Sequence, residues 1–191
     1  MAEYALKPRS IFEAVGGARV EGPGFVVDEA PARTLVSFAA RRGADPSAAV
    51  RKAFALDLPG PARSAEGDGV VAYFDGPGRW FLRGGEGLLD AARKAAAGVA
   101  TVTDQSDGFA SLTLTGPRSR DLLSRLSTLD FADAAFPVGA VARTPMQQIS
   151  VTILRTGDGP DYVLETPRST ARDLAHDVKA AAKALAAQRM A

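Results

Sequence analysis

The sequence contains no cysteine and only one histidine, His176. Without cysteine, disulfide bonds, thiolate catalysis and cysteine-ligated zinc are excluded. No apolar run approaches the ~20 residues of a membrane span, and the N-terminal segment lacks the continuous apolar core of a secretory signal. We therefore expect a cytoplasmic protein that does not enter a membrane.

Neither sign of charge dominates the chain, because 23 basic and 22 acidic residues leave a formal net charge of +1. A protein that binds nucleic acid normally carries a basic stripe or patch, and this sequence has only short pairs such as Arg41-Arg42. We predict no nucleic-acid partner. The apolar fraction of 46% is ordinary for a globular protein.

The sequence also lacks the common cofactor and nucleophile motifs. Gly16-Gly17 and Gly76-Pro77-Gly78 do not complete the G-x-G-x-x-G pattern of dinucleotide binding, and no Gly-Lys-Ser/Thr exists for a P-loop. No serine lies in a G-x-S-x-G nucleophile elbow. We therefore predict no catalytic, cofactor-binding or metal-binding residue on this chain.

The best polar candidate is the turn from Asp104 to Gly108. Asp104 and Asp107 are three residues apart and flank Gln105 and Ser106, so they could work as a general acid and base if buried in different environments. Aspartate and serine are also the residues that tight turns use through side-chain to backbone hydrogen bonds. The turn interpretation is favoured.

His176 lies between the acidic residues Asp173 and Asp177. On a helix, adjacent residues do not share a face, and one histidine with surface carboxylates makes a poor metal site. We interpret His176 as an exposed helix residue.

The chain is predicted to repeat a βαββα unit. Residues 1–30 form an N-terminal arm and a short strand, residues 31–98 the first unit and residues 99–191 the second, all within one compact domain. Asp45-Pro46 begins a helix as N-cap and first helical residue, and the Asp75–Gly78 turn marks a hairpin. This pattern predicts an α+β fold with antiparallel sheets and helices on one face.

Two aromatic positions are candidate partner contacts. Trp80 follows Arg79 at the mouth of the hairpin, where it packs in the core or anchors an interface, since tryptophan and arginine are frequent in binding hot spots. Phe136-Pro137 places an aromatic side chain on a loop, where exposed apolar surface usually marks a contact. We predict an interface at these residues and at the 104–107 turn, with Phe131, Phe136 and Trp80 exposed. The complete set of predicted interface residues is Arg79, Trp80, Asp104, Gln105, Ser106, Asp107, Phe136 and Pro137.

Several segments together resemble the gamma subunit of heterotetrameric sarcosine oxidase, within the aminomethyltransferase-like folate-binding superfamily. The resemblance covers about residues 25–185 and is strongest over residues 99–175. The segments that carry it are Thr103–Gly108, Leu112–Arg118, Phe136–Arg143, Tyr162–Ser169 and Asp75–Trp80.

The resemblance implies a non-catalytic subunit that joins alpha, beta and delta subunits. Such a complex oxidises sarcosine to glycine with formation of hydrogen peroxide, and the one-carbon unit leaves as formaldehyde or passes to tetrahydrofolate. By the same resemblance, FAD, FMN and NAD belong to the alpha and beta subunits and zinc to delta. The folate-binding relatives place an acidic residue against the folate, and Asp104 is a loose positional candidate here.

Two alternatives remain open at this stage. The chain could be a stand-alone tetrahydrofolate-binding protein of one-carbon transfer, or an unrelated α+β interaction module. Binding of tetrahydrofolate by the single chain would favour the first alternative. Neighbouring genes for flavoprotein oxidase subunits would count against the second.

Overall fold

The computed structural model describes residues 9–188. This part of the chain contains eleven strands, four α-helices and two short 3₁₀ helices. The strands are β1 (Val20–Gly22), β2 (Phe25–Glu29), β3 (Thr34–Ala40), β4 (Ser64–Gly67), β5 (Val70–Gly76), β6 (Arg79–Gly84), β7 (Ala100–Asp104), β8 (Phe109–Thr115), β9 (Val141–Met146), β10 (Ile149–Gly157) and β11 (Asp161–Pro167). The helices are α1 (Ser47–Phe54), α2 (Leu88–Ala95), α3 (Ser119–Leu126) and α4 (Ala171–Ala187), with 3₁₀ turns at Glu13–Val15 and Arg168–Thr170.

The strands form two antiparallel sheets that repeat one arrangement. The first sheet has the order β4-β5-β6-β3-β7 and the second the order β1-β2-β8-β11-β10-β9. Along the chain, the series β3-α1-β4-β5-β6-α2 recurs as β8-α3-β9-β10-β11-α4. The predicted α+β fold of two repeated units is therefore confirmed, and each unit carries one strand more than the sequence indicated, β4 in the first and β9 in the second.

Each sheet is extended by a strand from outside its unit. β7 pairs with β3 in the first sheet, although its residues fall within the predicted second unit, 99–191. β2 pairs with β8 in the second sheet, although it belongs to the predicted arm of residues 1–30. Residues 1–8 of that arm lie outside the described residues.

The helices begin and pack much as the local sequence indicates. Helix α1 begins one residue later than predicted, with Pro46 rather than Asp45 as its N-cap. The Asp45 carboxylate still accepts a hydrogen bond from the Ser47 amide at 2.9 Å, which satisfies one free N–H of the first turn. Val50 and Phe54 of α1 are buried. The leucines of α3 that share one face, Leu122, Leu123 and Leu126, are buried as well.

The two sheets pack against each other and the helices cover their outer faces. One core lies between the first sheet and helices α1 and α2, and another between the second sheet and helices α3 and α4. A third, smaller core lies between the sheets and contains Leu35, Tyr73, Phe81, Val141, Leu154 and Val163. A polar groove lies beside this inter-sheet core.

Candidate functional site

The groove lies where the beginnings of β3 and β8 meet the ends of β6 and β11. Its volume is about 340 Å³, close to the lower limit of small-molecule pockets. The charged residues that line it are Arg9, Arg33, Arg83, Arg168, Glu29, Asp107 and Glu165. We call this feature the inter-sheet groove.

Glu165 is a buried carboxylate in the wall of the groove, with 2% of its surface exposed. Because side chains alternate along a strand, Glu165 lies on the same face of β11 as Val163, which belongs to the inter-sheet core. Its two oxygens accept hydrogen bonds from the Tyr73 hydroxyl and from the Ser111 hydroxyl at 3.1 Å. These bonds tie β11 to β8 in its own sheet and to β5 in the other.

Burial raises the pKa of both Glu165 and Tyr73. Desolvation raises the pKa of Glu165, against the opposing effects of the Tyr73 hydrogen bond and the Arg83 charge. Desolvation also raises the pKa of Tyr73 well above its ordinary value, and the neighbouring Glu165 adds to that shift. The physical reason is that a charge loses its hydration when it is buried.

Arg83 is the counterpart of Glu165 in the repeated fold. In the first unit Arg83 on β6 pairs with Leu35 on β3, and in the second unit Glu165 on β11 pairs with Ser111 on β8. Arg83 lies on the same face of β6 as Phe81, a residue of the inter-sheet core. The two units therefore place opposite charges at equivalent positions in the lining of one groove.

Ser106 and Asp107 of the 104–107 turn line the groove, and the turn is held by local hydrogen bonds. The Asp104 carboxylate accepts from the Ser106 amide at 2.9 Å and from the Ser106 hydroxyl at 2.7 Å. These bonds lower the pKa of Asp104. The Gln105 amide donates to the Leu35 carbonyl at 2.8 Å. Asp104 is thus a turn residue, which agrees with the favoured interpretation, and Asp107 lines the groove.

A second polar cluster joins the β5–β6 hairpin to β9. Asp75 has only 9% of its side chain exposed and forms ion pairs with Arg79 at 3.0 Å and with Arg143 at 2.5 Å. The prediction that Trp80 is exposed is wrong, because it is half-buried against the core of the first sheet. Its indole N–H donates to the Pro59 carbonyl at 2.8 Å. Both partners of Asp75 are cations, so they compensate the negative charge of this carboxylate within the chain.

The 136–139 loop differs from its sequence interpretation. Phe136 is 6% exposed and Phe131 3% exposed, so the prediction that both are exposed is wrong. Phe136 packs edge-to-face on Phe131 at 5.6 Å between ring centroids and stacks on Tyr162 at 6.3 Å. The apolar residue that this loop does expose is Val138, at 47%.

A buried arginine that sequence reasoning missed holds this loop. Arg155 is 4% exposed, and its guanidinium donates to the Phe136 carbonyl at 2.7 Å and pairs with Asp133 at 2.6 Å. The amide of Gly139 donates to the Arg155 carbonyl at 2.9 Å. The loop in turn contacts the first sheet, because the Ser64 amide donates to the Gly139 carbonyl at 2.8 Å.

The predicted site residues thus fall into three places: the 104–107 turn beside the groove, the 79–80 hairpin and the 136–137 loop. Sequence reasoning missed Arg83 and Glu165 as groove residues. The sequence did contain a signal for both residues. Each is a charged residue two positions after an apolar residue that faces inward, and because side chains alternate along a strand, the charged residue is predicted to face inward as well. His176 is exposed on α4, as predicted.

Two absences are observed within the described range. None of the helices in residues 9–188 combines the length and apolar character that crossing a membrane would require. The same stretch of chain contains no group of three or more histidine or acidic side chains arranged to hold a metal ion.

More than half of the chain matches a known protein family. Residues 80–188 match the GCVT N-terminal domain. The chain belongs to this family. The matched part of this GCVT-family chain begins on β6 and includes the whole of the second repeated unit. A search of curated proteins found no match.

Comparison with solved structures supports the same fold. A chain of heterotetrameric sarcosine oxidase from Corynebacterium sp. U-96 has a TM-score of 0.82 at 23% identity, covering 94% of this chain and 96% of that chain. The regulatory subunit of aspartate kinase from Thermus thermophilus has a TM-score of only 0.41 at 12% identity, over 84% and 97% of the two chains. The first match confirms the fold resemblance that the sequence indicated.

Proposed function

We propose that this chain is the gamma-type, non-catalytic subunit of a complex resembling heterotetrameric sarcosine oxidase. The observation that carries the proposal is the match over 94% of this chain and 96% of a chain in that enzyme, at a TM-score of 0.82. The two chains therefore have nearly the same length and the same fold throughout. In this role the chain supports the subunits that oxidise sarcosine to glycine and release hydrogen peroxide, with formaldehyde or 5,10-methylenetetrahydrofolate as the one-carbon product.

Several polar side chains are bonded to other groups of the same chain, which supports a scaffolding role. Asp104 is occupied by the turn that it caps, and Asp75 is neutralised by two arginines. Arg155 holds a loop that connects the sheets. These side chains maintain the shape of the chain, and FAD, FMN, NAD and zinc belong to the alpha, beta and delta partner subunits.

The proposed contact surface includes the exposed part of the 136–139 loop. Val138 is the one large apolar side chain that residues 9–188 leave exposed, and Pro137 beside it is half-buried. Arg79 is exposed on the hairpin, where it pairs with Asp75. Val138 and Arg79 are both exposed, and arginine is one of the residue types over-represented in binding hot spots.

Affinity purification of the tagged chain from its native host tests this function. We expect larger flavoprotein subunits to co-purify, the eluate to show flavin absorption, and sarcosine oxidation to require those subunits. The chain produced alone should be colourless and inactive. Sarcosine turnover by the isolated chain would overturn the proposal.

The second candidate is a stand-alone tetrahydrofolate-binding protein, which membership of the GCVT N-terminal domain family favours. A calorimetric titration of the isolated chain with tetrahydrofolate separates the two functions. Saturable binding that Asp104→Ala abolishes would support the second candidate. Absence of binding, together with recovery of flavoprotein partners, would support the first.

A further inference from the structure

The inter-sheet groove holds more positive charge than its own acidic residues neutralise. Four arginines and three carboxylates line it, so one positive charge is in excess even when every carboxylate is ionised. Among residues 9–188, no ion pair involves any of those four arginines, Arg9, Arg33, Arg83 and Arg168.

Arg83 is the arginine for which this lack of an ion pair matters most. It is half-buried and lies on the face of β6 that packs against the second sheet, where a charge without a partner is unfavourable. Its repeat counterpart Glu165 is near enough to feel the Arg83 charge, but the carboxylate receives its hydrogen bonds from Tyr73 and Ser111 instead. The guanidinium of Arg83 is left available to a group that enters the groove.

The rim of the groove adds two more guanidinium groups. Arg33 and Arg168 are exposed and line the same space. The side chain of Arg168 makes a 3.3 Å hydrogen bond to the Arg9 carbonyl, which leaves its other N–H groups for a ligand. Guanidinium groups bind carboxylates in two-point contacts that are stronger than neutral hydrogen bonds.

We propose that the inter-sheet groove binds a small monocarboxylate, with Arg83 as its principal anchor and Arg168 as a second contact at the rim. The single excess positive charge matches one carboxylate, whereas Glu29 and Asp107 on the same lining disfavour a phosphate dianion by repulsion. The volume of about 340 Å³ suits a small molecule. This inference does not depend on the proposed function, because the groove belongs to this chain alone.

The test is a titration of the isotopically labelled full chain with sodium propionate, followed by nuclear magnetic resonance at constant ionic strength maintained with sodium chloride. We expect saturable shifts centred on the amides of Arg83, Ser106 and Ser111. Arg83→Gln should weaken binding at least about tenfold, because it removes a charged hydrogen bond. Inorganic phosphate, used as a second probe, should bind more weakly than propionate.

Arg42→Gln is the matched control, because Arg42 is exposed and the variant loses the same charge away from the groove. Arg168→Gln provides a second groove variant on the surface, should Arg83→Gln disturb folding, and it too should weaken binding. Equal weakening by Arg42→Gln and the groove variants would show nonspecific attraction and overturn the proposal. Shifts that do not saturate, or that do not map to the groove, would overturn it as well.

Discussion

The burial of Phe136 leads to a prediction that separates loop packing from partner binding. A phenylalanine side chain buries about 150–250 Å², which at about 25 cal/mol per Å² corresponds to roughly 4–6 kcal/mol as an upper limit. Replacing a buried phenylalanine by alanine usually costs about 3–5 kcal/mol. With 6% exposure and ring contacts to Phe131 and Tyr162, Phe136→Ala should fall in that range. Urea unfolding of the isolated chain, followed by circular dichroism, measures this loss.

Val138→Ala is the control for this experiment, because Val138 lies two residues further along the loop and is 47% exposed. Its effect on unfolding should stay within about 0.5 kcal/mol, as for most surface substitutions. A loss below about 1 kcal/mol for Phe136→Ala, outside the usual range for a buried aromatic, would refute the reasoning. The ring would then be open to solvent, and the original interpretation of Phe136 as an exposed contact would stand.

Further perturbations address other parts of the chain. Burial raises the pKa of Glu165 above its ordinary value of 4.5, so its contribution to stability is largest below that pH and is lost as the pH rises through the raised value. Urea unfolding at a series of pH values should show that Glu165→Gln removes this pH dependence of stability. An unchanged slope of the free energy of unfolding against pH would contradict the raised pKa of Glu165. Arg155→Met should lower the free energy of unfolding by about 1–3 kcal/mol, because the buried Phe136 carbonyl loses its donor. An unchanged thermal midpoint would contradict this expectation. Asp104→Ala should lower the thermal midpoint slightly by removing the hydrogen bonds of its turn; no change would mean that the turn does not need them. Val138→Asp should leave the thermal midpoint unchanged and reduce recovery of partner subunits in affinity purification, whereas full recovery would remove Val138 from the interface.

Much of the fold was predictable because its signals are local. The Asp75–Gly78 turn predicted the hairpin of β5 and β6, and the aspartate and proline before α1 predicted its start to within one residue. β4 and β9 were missed for a physical reason. β4 runs through Ser64–Gly67, a stretch with little apolar character, and β9 contains Pro145, a residue that usually argues against a strand.

The candidate site was less predictable than the fold. The 104–107 turn was found because aspartate and serine form turns through their own side chains. Glu165 and Arg83 lie 82 positions apart by residue number, and nothing in the local pattern around either one places the other beside it. The exposure predicted for Phe136 from its loop position is wrong because Arg155 holds this particular loop over an aromatic cluster.

The sequence by itself determined the two repeated units, their hairpins, the helix faces and the absence of thiol chemistry, because each depends on residues within a few positions of one another. Only the tertiary structure decided that β2 joins β8 and that β7 joins β3. It also decided that the equivalent positions of the two units bring an arginine and a buried glutamate to one groove. Those features depend on pairing between strands that are far apart in the sequence and on packing between the two sheets. Both are determined by how the side chains of the whole core pack together.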